Sequence, residues 1–337
     1  MKAKKLVSTS NSVGMKYSAI IVLQKFGPLF LILFYSFFVF LIKPRFLSIE
    51  NLSNVSQQIV AVGLIALGQT FVLISGGIDL STGSIIALSS ITMGIVFGLT
   101  NNIWLAISAA IAIGLGIGAI NSYLIAKIKL SPMIVTLATM SISMGLVMVI
   151  TSTVKYVFFI AHPFLYLFGG KKIFNIPYSF ILLVFIFFLG YIFYNYTRIG
   201  LYTRSFGNNE AGTRLTGINI DRYKIKIYML SSFLAGLGGV IITCRMAIVQ
   251  PILGASTTML LDSVAAVVIG GTSLSGGIGT IQGTFVGLIL IGLISNSLNV
   301  LNVNLNLQEI VRGMVLIFIL FVNSIVNEKV YKGFSKI

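Results

Sequence analysis

The carboxylate of Asp79 lies in ISGGIDLSTGSIIALSS, residues 74–90, between glycines and apolar runs, in a chain with only seven acidic residues among 337. An ionisable group in such surroundings is a usual mark of an ion or proton site, and the paired glycines beside it would break a helix. A second glycine-rich stretch, GGTSLSGGIGT at residues 270–280, suggests phosphate binding, because backbone amides of glycine loops cradle phosphates. It lacks the lysine and the G-x-x-x-x-G-K-[ST] spacing, so the chain is not expected to bind ATP by itself. No pair of carboxylates is placed for acid–base work, no His/Cys/Asp/Glu group has metal-ligand spacing, and no G-x-S-x-G elbow occurs. The one histidine, His162, stands beside Pro163 in a connecting segment, cannot build a metal site alone and reads as solvated. The one cysteine, Cys244, has no internal disulfide partner and reads as a buried, inert thiol in an apolar run. An enzyme is therefore not indicated and no cofactor is expected in this chain, which leaves transport, a channel or a membrane scaffold.

The elements that position these residues follow from composition. Hydrophobic residues make up 57% and charged residues 9%, and the mean hydropathy is +1.02; soluble domains carry roughly 25% charge, so lipid is the solvent here. A hydrocarbon core of about 30 Å takes about 20 apolar residues of helix. Apolar runs read against breakers place spans at residues 26–42, 55–75, 84–100, 103–126, 132–153, 178–196, 225–248, 260–271, 281–300 and 310–323. The fold class is all-α: a polytopic membrane protein of about ten helices, the short eighth being either spanning or re-entrant. Residues 1–25 and 327–337 form tails around a membrane domain at 26–326, with a polar loop at 197–224. The net charge of +16 is spread singly along the chain without an aromatic–basic cluster, so nucleic acid is not a partner.

Orientation comes from the Lys and Arg residues. With the amino terminus inside, sixteen fall on inner segments and five (Lys43, Arg45, Lys155, Lys171, Lys172) on outer ones. Basic loops resist translocation, so both termini are expected in the cytoplasm.

The two glycine segments form an internal repeat. Gly76-Gly77-Ile78-Asp79-Leu80-Ser81-Thr82-Gly83 and Gly270-Gly271-Thr272-Ser273-Leu274-Ser275-Gly276-Gly277 share G-G-x-x-L-S-x-G, with five of eight positions identical 194 residues apart. Matching breaks in two halves point to a transporter's pathway, because irregular backbone at membrane depth survives only where protein or a cavity satisfies it. Gly76, Gly77, Asp79, Ser81, Gly83, Gly270, Gly271, Ser273, Ser275 and Gly277 are thus expected at a path or gate. Gln69, Ser75, Asn121 and Asn296 either line that path for a neutral solute or hydrogen-bond between helices. In the loop, SFGNNEAGTRLTGINIDRYKIK, Asn208 and Asn209 are candidate caps for a short helix over Glu210–Thr216, ended by Gly217.

GNNEAGTRLTGIN, then LDSVAAVVIGGTSLSGG, with GGIDLSTGSIIALSS upstream, resemble the permease subunit of ribose-type ABC sugar importers across about residues 48–323. The resemblance implies a ten-helix permease in a bacterial inner membrane that pairs with a second permease copy. It also implies cytoplasmic cassettes that hold and hydrolyse ATP, and an extracytoplasmic sugar-binding protein. Asn209, Glu210, Ala211, Arg214, Leu215 and Gly217 fall on the family's coupling motif. Two departures stand out: Gly212 replaces a usual alanine, weakening the helix by about 1 kcal/mol, and Ile278 and Thr280 replace basic residues. Permeases for nucleosides or branched-chain amino acids share the architecture, and an ion-coupled transporter using Asp79 as its ion site is a different class. Glu309 and Arg312, three apart, are placed to pair near the outer end of the last span. Because the second repeat has Ser273 where the first has Asp79, the charge is read as a cap on a helix starting at Ser81 or Ser84 rather than an ion site.

Overall fold

The computed structural model describes residues 29–153, 158–159, 162–249, 253–304, 306–315, 317–318 and 321. The tails expected at 1–25 and 327–337 lie outside them, as do the start of the first span and the end of the last. The helices are α1 (Leu29–Ile42), α2 (Ile49–Ile74), α3 (Thr82–Thr100), α4 (Ile103–Ala126), α5 (Pro132–Thr153), the short α6 (Pro163–Gly169), α7 (Tyr178–Tyr196), α8 (Arg198–Asn208), α9 (Glu210–Leu215), α10 (Ile220–Met246), α11 (Leu253–Ile269) and α12 (Ile281–Val300), followed by α13 over 306–315. Seven of them, α2, α3, α4, α5, α7, α10 and α12, are long and apolar enough to cross a membrane. The eighth expected span begins at Leu253 rather than Leu260: α11 runs 17 residues, because Ser256, Thr257 and Thr258 continue the helix instead of breaking it.

Local chemistry sets the helix ends. The Asn102 Oδ1 accepts from the Trp104 and Leu105 amides at 3.0 and 3.2 Å, which starts α4, and Asn101 in the left-handed region ends α3 (φ 52°). His162, expected to be merely solvated, caps α6 by accepting from the Phe164 amide at 3.1 Å. Cys244 is buried in α10.

Two helices are central. Within its most apolar stretch α2 is 89% buried and α10 78%, against 28% for α4, α5 and α7, which carry their apolar side chains on the outside. Lipid tails are as apolar as leucine, so nothing drives these helices together except close packing and polar bonds, and small residues mark their crossings. A Cβ on Gly68 would fall 2.8 Å from the Ser231 Cα, one on Gly114 2.6 Å from the Ser232 carbonyl oxygen, and one on Gly287 2.1 Å from the Ala266 carbonyl oxygen. These contacts seat α2 and α4 on α10, and α11 on α12.

The connections sort to two ends. At one end, β1 (Phe158–Phe159) pairs antiparallel with β4 (Ile248–Val249), a hairpin joins β2 (Lys172–Ile173) to β3 (Ile176–Pro177), and Asn51 and Asn296 exchange hydrogen bonds at 2.7 and 3.1 Å. At the other end meet both glycine segments, the α4–α5 turn and the α8–α9 loop: the Gly277 amide donates to the Ile74 carbonyl at 2.8 Å, and Lys129 pairs with Asp221.

Candidate coupling surface and glycine knot

The first glycine segment is organised around Asp79, which is wholly buried. One carboxylate oxygen accepts from the Ser81 amide at 3.1 Å and the Ser81 hydroxyl at 2.6 Å; the other accepts from the Ser231 hydroxyl of α10 at 2.9 Å. The Asp79 main chain is held as well, its carbonyl accepting from Gln69 Nε2 at 2.6 Å and its amide donating to Gln69 Oε1 at 3.3 Å. Asn121 of α4 donates to the Ser81 hydroxyl at 2.9 Å. Asp79 is thus not the helix cap expected of it. α3 begins at Thr82 with Ser81 as its cap residue, and no side chain bonds its first-turn amides; the carboxylate closes a turn onto Ser81 and bolts that turn to α10.

The repeat sits in a different register from the one sequence identity suggests. In the first segment Gly76 is left-handed (φ 81°), its amide donating to the Leu73 carbonyl at 2.9 Å and the Gly77 amide to the Val72 carbonyl at 3.1 Å. In the second, the same pair of bonds comes from Gly271 (φ 85°) to Val268 at 3.0 Å and Thr272 to Val267 at 3.2 Å. Gly76 therefore matches Gly271 and not Gly270; both are glycine because the left-handed C-cap penalises any Cβ. The Ser273 hydroxyl accepts from the Ser275 amide at 3.2 Å, the uncharged counterpart of the Asp79–Ser81 turn. The same two devices recur, three residues apart in the first copy and two in the second.

The segments touch each other. A Cβ on Gly276 would meet the Gly207 carbonyl oxygen at 2.7 Å and the Gly76 Cα at 3.0 Å, and one on Gly207 would meet the Ile74 carbonyl oxygen at 1.9 Å. Main chain from α2, α8 and the α11–α12 loop thus meets without intervening side chains. Tyr194 braces the knot by donating to the Gly279 carbonyl at 2.6 Å, under the Arg204 guanidinium 4.7 Å from its ring. Gly83 lies away from it, where α3 crosses α11 and a Cβ would stand 2.4 Å from the Ser256 carbonyl oxygen.

Three residues beyond Gly207, α9 projects from this end. Asn209 caps it by accepting from the Gly212 amide at 2.8 Å, Asn208 takes no part in that cap, and the helix closes at Leu215 with left-handed Gly217 (φ 79°) after it, one residue shorter than expected. Thr213 faces inward, while Ala211 and Leu215 face out, Leu215 being 91% exposed. Glu210 accepts from Arg214 at 2.9 Å and from Lys224 of α10 at 2.8 Å, and Arg214 also reaches Asp221 at 2.9 Å. Burial pushes the Glu210 carboxyl up, but its bonds to Lys224 and Arg214 outweigh that and hold it below the usual glutamate value.

A group whose folded value is depressed contributes stability above its unfolded value and loses it as pH falls through the folded one. Glu210→Gln is therefore expected to lower the unfolding temperature at neutral pH. The difference from wild type should close as pH drops below about 4, checked by thermal unfolding in detergent across pH. Glu210 is 41% exposed, so solvent limits the effect to less than about 1 kcal/mol.

The other expected path residues make hydrogen bonds within the chain, the alternative expected of them. Gln69, Ser81 and Asn121 belong to the Asp79 cluster, Ser75 bonds the Val72 carbonyl at 2.6 Å, and Asn296 sits at the opposite end, paired with Asn51. Sequence reading gave no role to Ser231, which lies in ordinary helical context, or to Gly207, although that glycine opens the motif GNNEAGTRLTGIN.

A profile of the family described as "Branched-chain amino acid transport system / permease component" matches residues 51–320. The chain belongs to this permease family. Among individual proteins, the permease is similar to the ribose import permease protein RbsC of Escherichia coli (strain K12), at 37% identity over 285 residues, 84% of this chain and 88% of the relative. The ribose import permease protein RbsC of Bacillus subtilis (strain 168) is 38% identical over 297 residues, 88% of this chain and 91% of its own. The L-arabinose transport system permease protein AraH of Escherichia coli (strain K12) is 34% identical over 315 residues, 92% and 94% of the two chains. No solved structure matches the permease. With seven helices able to cross a membrane, it is a multi-pass membrane protein.

Proposed function

We propose that this chain is the membrane subunit of an ATP-driven importer of a monosaccharide of the pentose class. The observation that carries the reading is similarity over more than four-fifths of the chain to permeases named for ribose and arabinose. The family description names branched-chain amino acids, and that substrate is the second reading; the sugar reading is preferred because the individual relatives are sugar permeases.

In this reading α9 docks in a groove of a cytoplasmic ATP-hydrolysing subunit, and no nucleotide or other cofactor binds the permease itself. The geometry of α9 suits such docking, since Leu215 stands almost fully exposed beside charged residues that hold α9 to α10, and motion of the partner is passed on rather than absorbed. The glycine knot lies at the same end, and alternating access follows if it re-forms as the bundle opens to the other side. The glycine-knot end and both termini face the cytoplasm of a bacterial cell, as the basic residues favour. A second permease copy, identical or related, completes the path, and an extracytoplasmic binding protein delivers sugar to the end carrying Asn51 and Asn296. Co-purification tests this: an ATPase subunit should accompany the permease, and its hydrolysis should rise with a ribose- or arabinose-loaded binding protein. Stimulation by leucine-loaded protein alone would support the second reading, and uptake without an ATPase would exclude both.

A further inference from the structure

Asp262 is a partly buried carboxylate within α11, and it faces a cavity. Asp262 lies seven residues before the end of α11, about 10 Å along the helix from the second glycine segment. It lines a space of about 70 Å³ between α11, α12 and α13, together with Thr258, Ser295, Glu309 and Arg312. The Arg312 guanidinium stands 3.7 Å from the Glu309 carboxylate, to which the Thr258 hydroxyl donates at 3.1 Å. The Arg312 Nε is buried with no hydrogen-bond partner among the described residues. The remaining wall is aliphatic, Ile291 among it.

We propose that this cavity is a contact site for the transported solute, and that Asp262 and Arg312 read a pair of adjacent hydroxyls on a sugar. The inference rests on the sugar-import reading and deepens it. A hydroxyl both donates and accepts, so a carboxylate on α11 and a guanidinium on α13 fit neighbouring hydroxyls of one ring edge, and aliphatic walls fit its C–H face. The space holds only a few waters' worth of volume, so it grips one edge of the ring and leaves the rest to the open side. A solute that must leave again is suited by such partial contact. An anion meets two carboxylates here and a metal ion meets the guanidinium, whereas a neutral polyol must shed no full charge to enter. Charged side chains inside a membrane protein are costly to keep, and unlike Asp79 the Arg312 guanidinium keeps a buried N–H without a partner among the described residues.

The test uses the complete transporter in proteoliposomes, with its ATPase and binding protein, and compares uptake of D-ribose with that of analogues each lacking one hydroxyl. All sugars are supplied at saturation, so affinity for the binding protein drops out. Wild type is expected to move ribose about tenfold faster than the analogue lacking the hydroxyl read here, because a charged partner is left unmatched. Asp262→Asn and Arg312→Lys should bring that ratio close to one by slowing ribose alone. A purely structural role slows both sugars equally and keeps the ratio, which would overturn the proposal. Thr258→Val, a milder change, should still lower the ratio several-fold, and it carries the test if the charge variants fail to insert. Wild type that moves no sugar at all would instead refute the sugar-import reading.

Discussion

Gly207→Ala is expected to reduce ATP-driven uptake at least tenfold while the amount of protein inserted in the membrane changes less than twofold. The added methyl would stand 1.9 Å from the Ile74 carbonyl oxygen and 2.8 Å from the Gly277 amide nitrogen, which donates a hydrogen bond to that oxygen. Both obstacles are main chain, so no rotamer change relieves the clash; α8 must move off the knot or the knot must open, at a cost of about 1–3 kcal/mol. Helix insertion depends on apolar length and not on this contact, so the lesion falls on transmission from α9. Uptake and ATP hydrolysis measured on the same proteoliposomes check it: hydrolysis that continues without uptake is the expected pattern, and uptake close to wild type would mean that the knot does not transmit.

Asp79→Leu is expected to destabilise the fold by about 3–5 kcal/mol, and Asp79→Asn by about 1 kcal/mol or less. Leucine removes the acceptor for the Ser81 amide, the Ser81 hydroxyl and the Ser231 hydroxyl and leaves all three buried and unmatched. Asparagine keeps one oxygen for both Ser81 bonds, and its amide can donate to the Ser231 hydroxyl, which turns to accept. Unfolding in detergent, followed by heat or denaturant, separates the two. If asparagine is as damaging as leucine, the negative charge and not the hydrogen-bond pattern is what the site needs. If asparagine folds normally but uptake stops, Asp79 takes part in transport directly.

The membrane class, the helix boundaries of α3, α4, α5, α7 and α12, and the capped helix at Asn209 were legible because each rests on local chemistry: an apolar run, a cap residue, a left-handed glycine. The register of the repeat was not. Identity matches Gly76 to Gly270, whereas the helix ends match Gly76 to Gly271, because one residue was gained between cap and turn and a string comparison cannot see which glycine is left-handed. The partners of Asp79 were likewise hidden, since Ser231 lies 152 residues away and a serine in an apolar helix announces nothing. Asp262 could have been found: it is a carboxylate in the apolar stretch LDSVAAVVIGG, and the same reasoning that singled out Asp79 applies to it.

The glycine knot and the charged residues around α9 respond differently to the medium. Glu210, Arg214, Lys224 and Asp221 are linked by partly exposed ion pairs, whose attraction dissolved ions weaken within a Debye length of about 8–10 Å. Where Gly76, Gly207 and Gly276 meet there is only main chain, with no charge to screen and no proton to gain or lose. Ionic strength can therefore loosen the seat of α9 and leave the joint beneath it unaltered. Raising the salt on that side would keep the same main-chain joint with a softer grip on it.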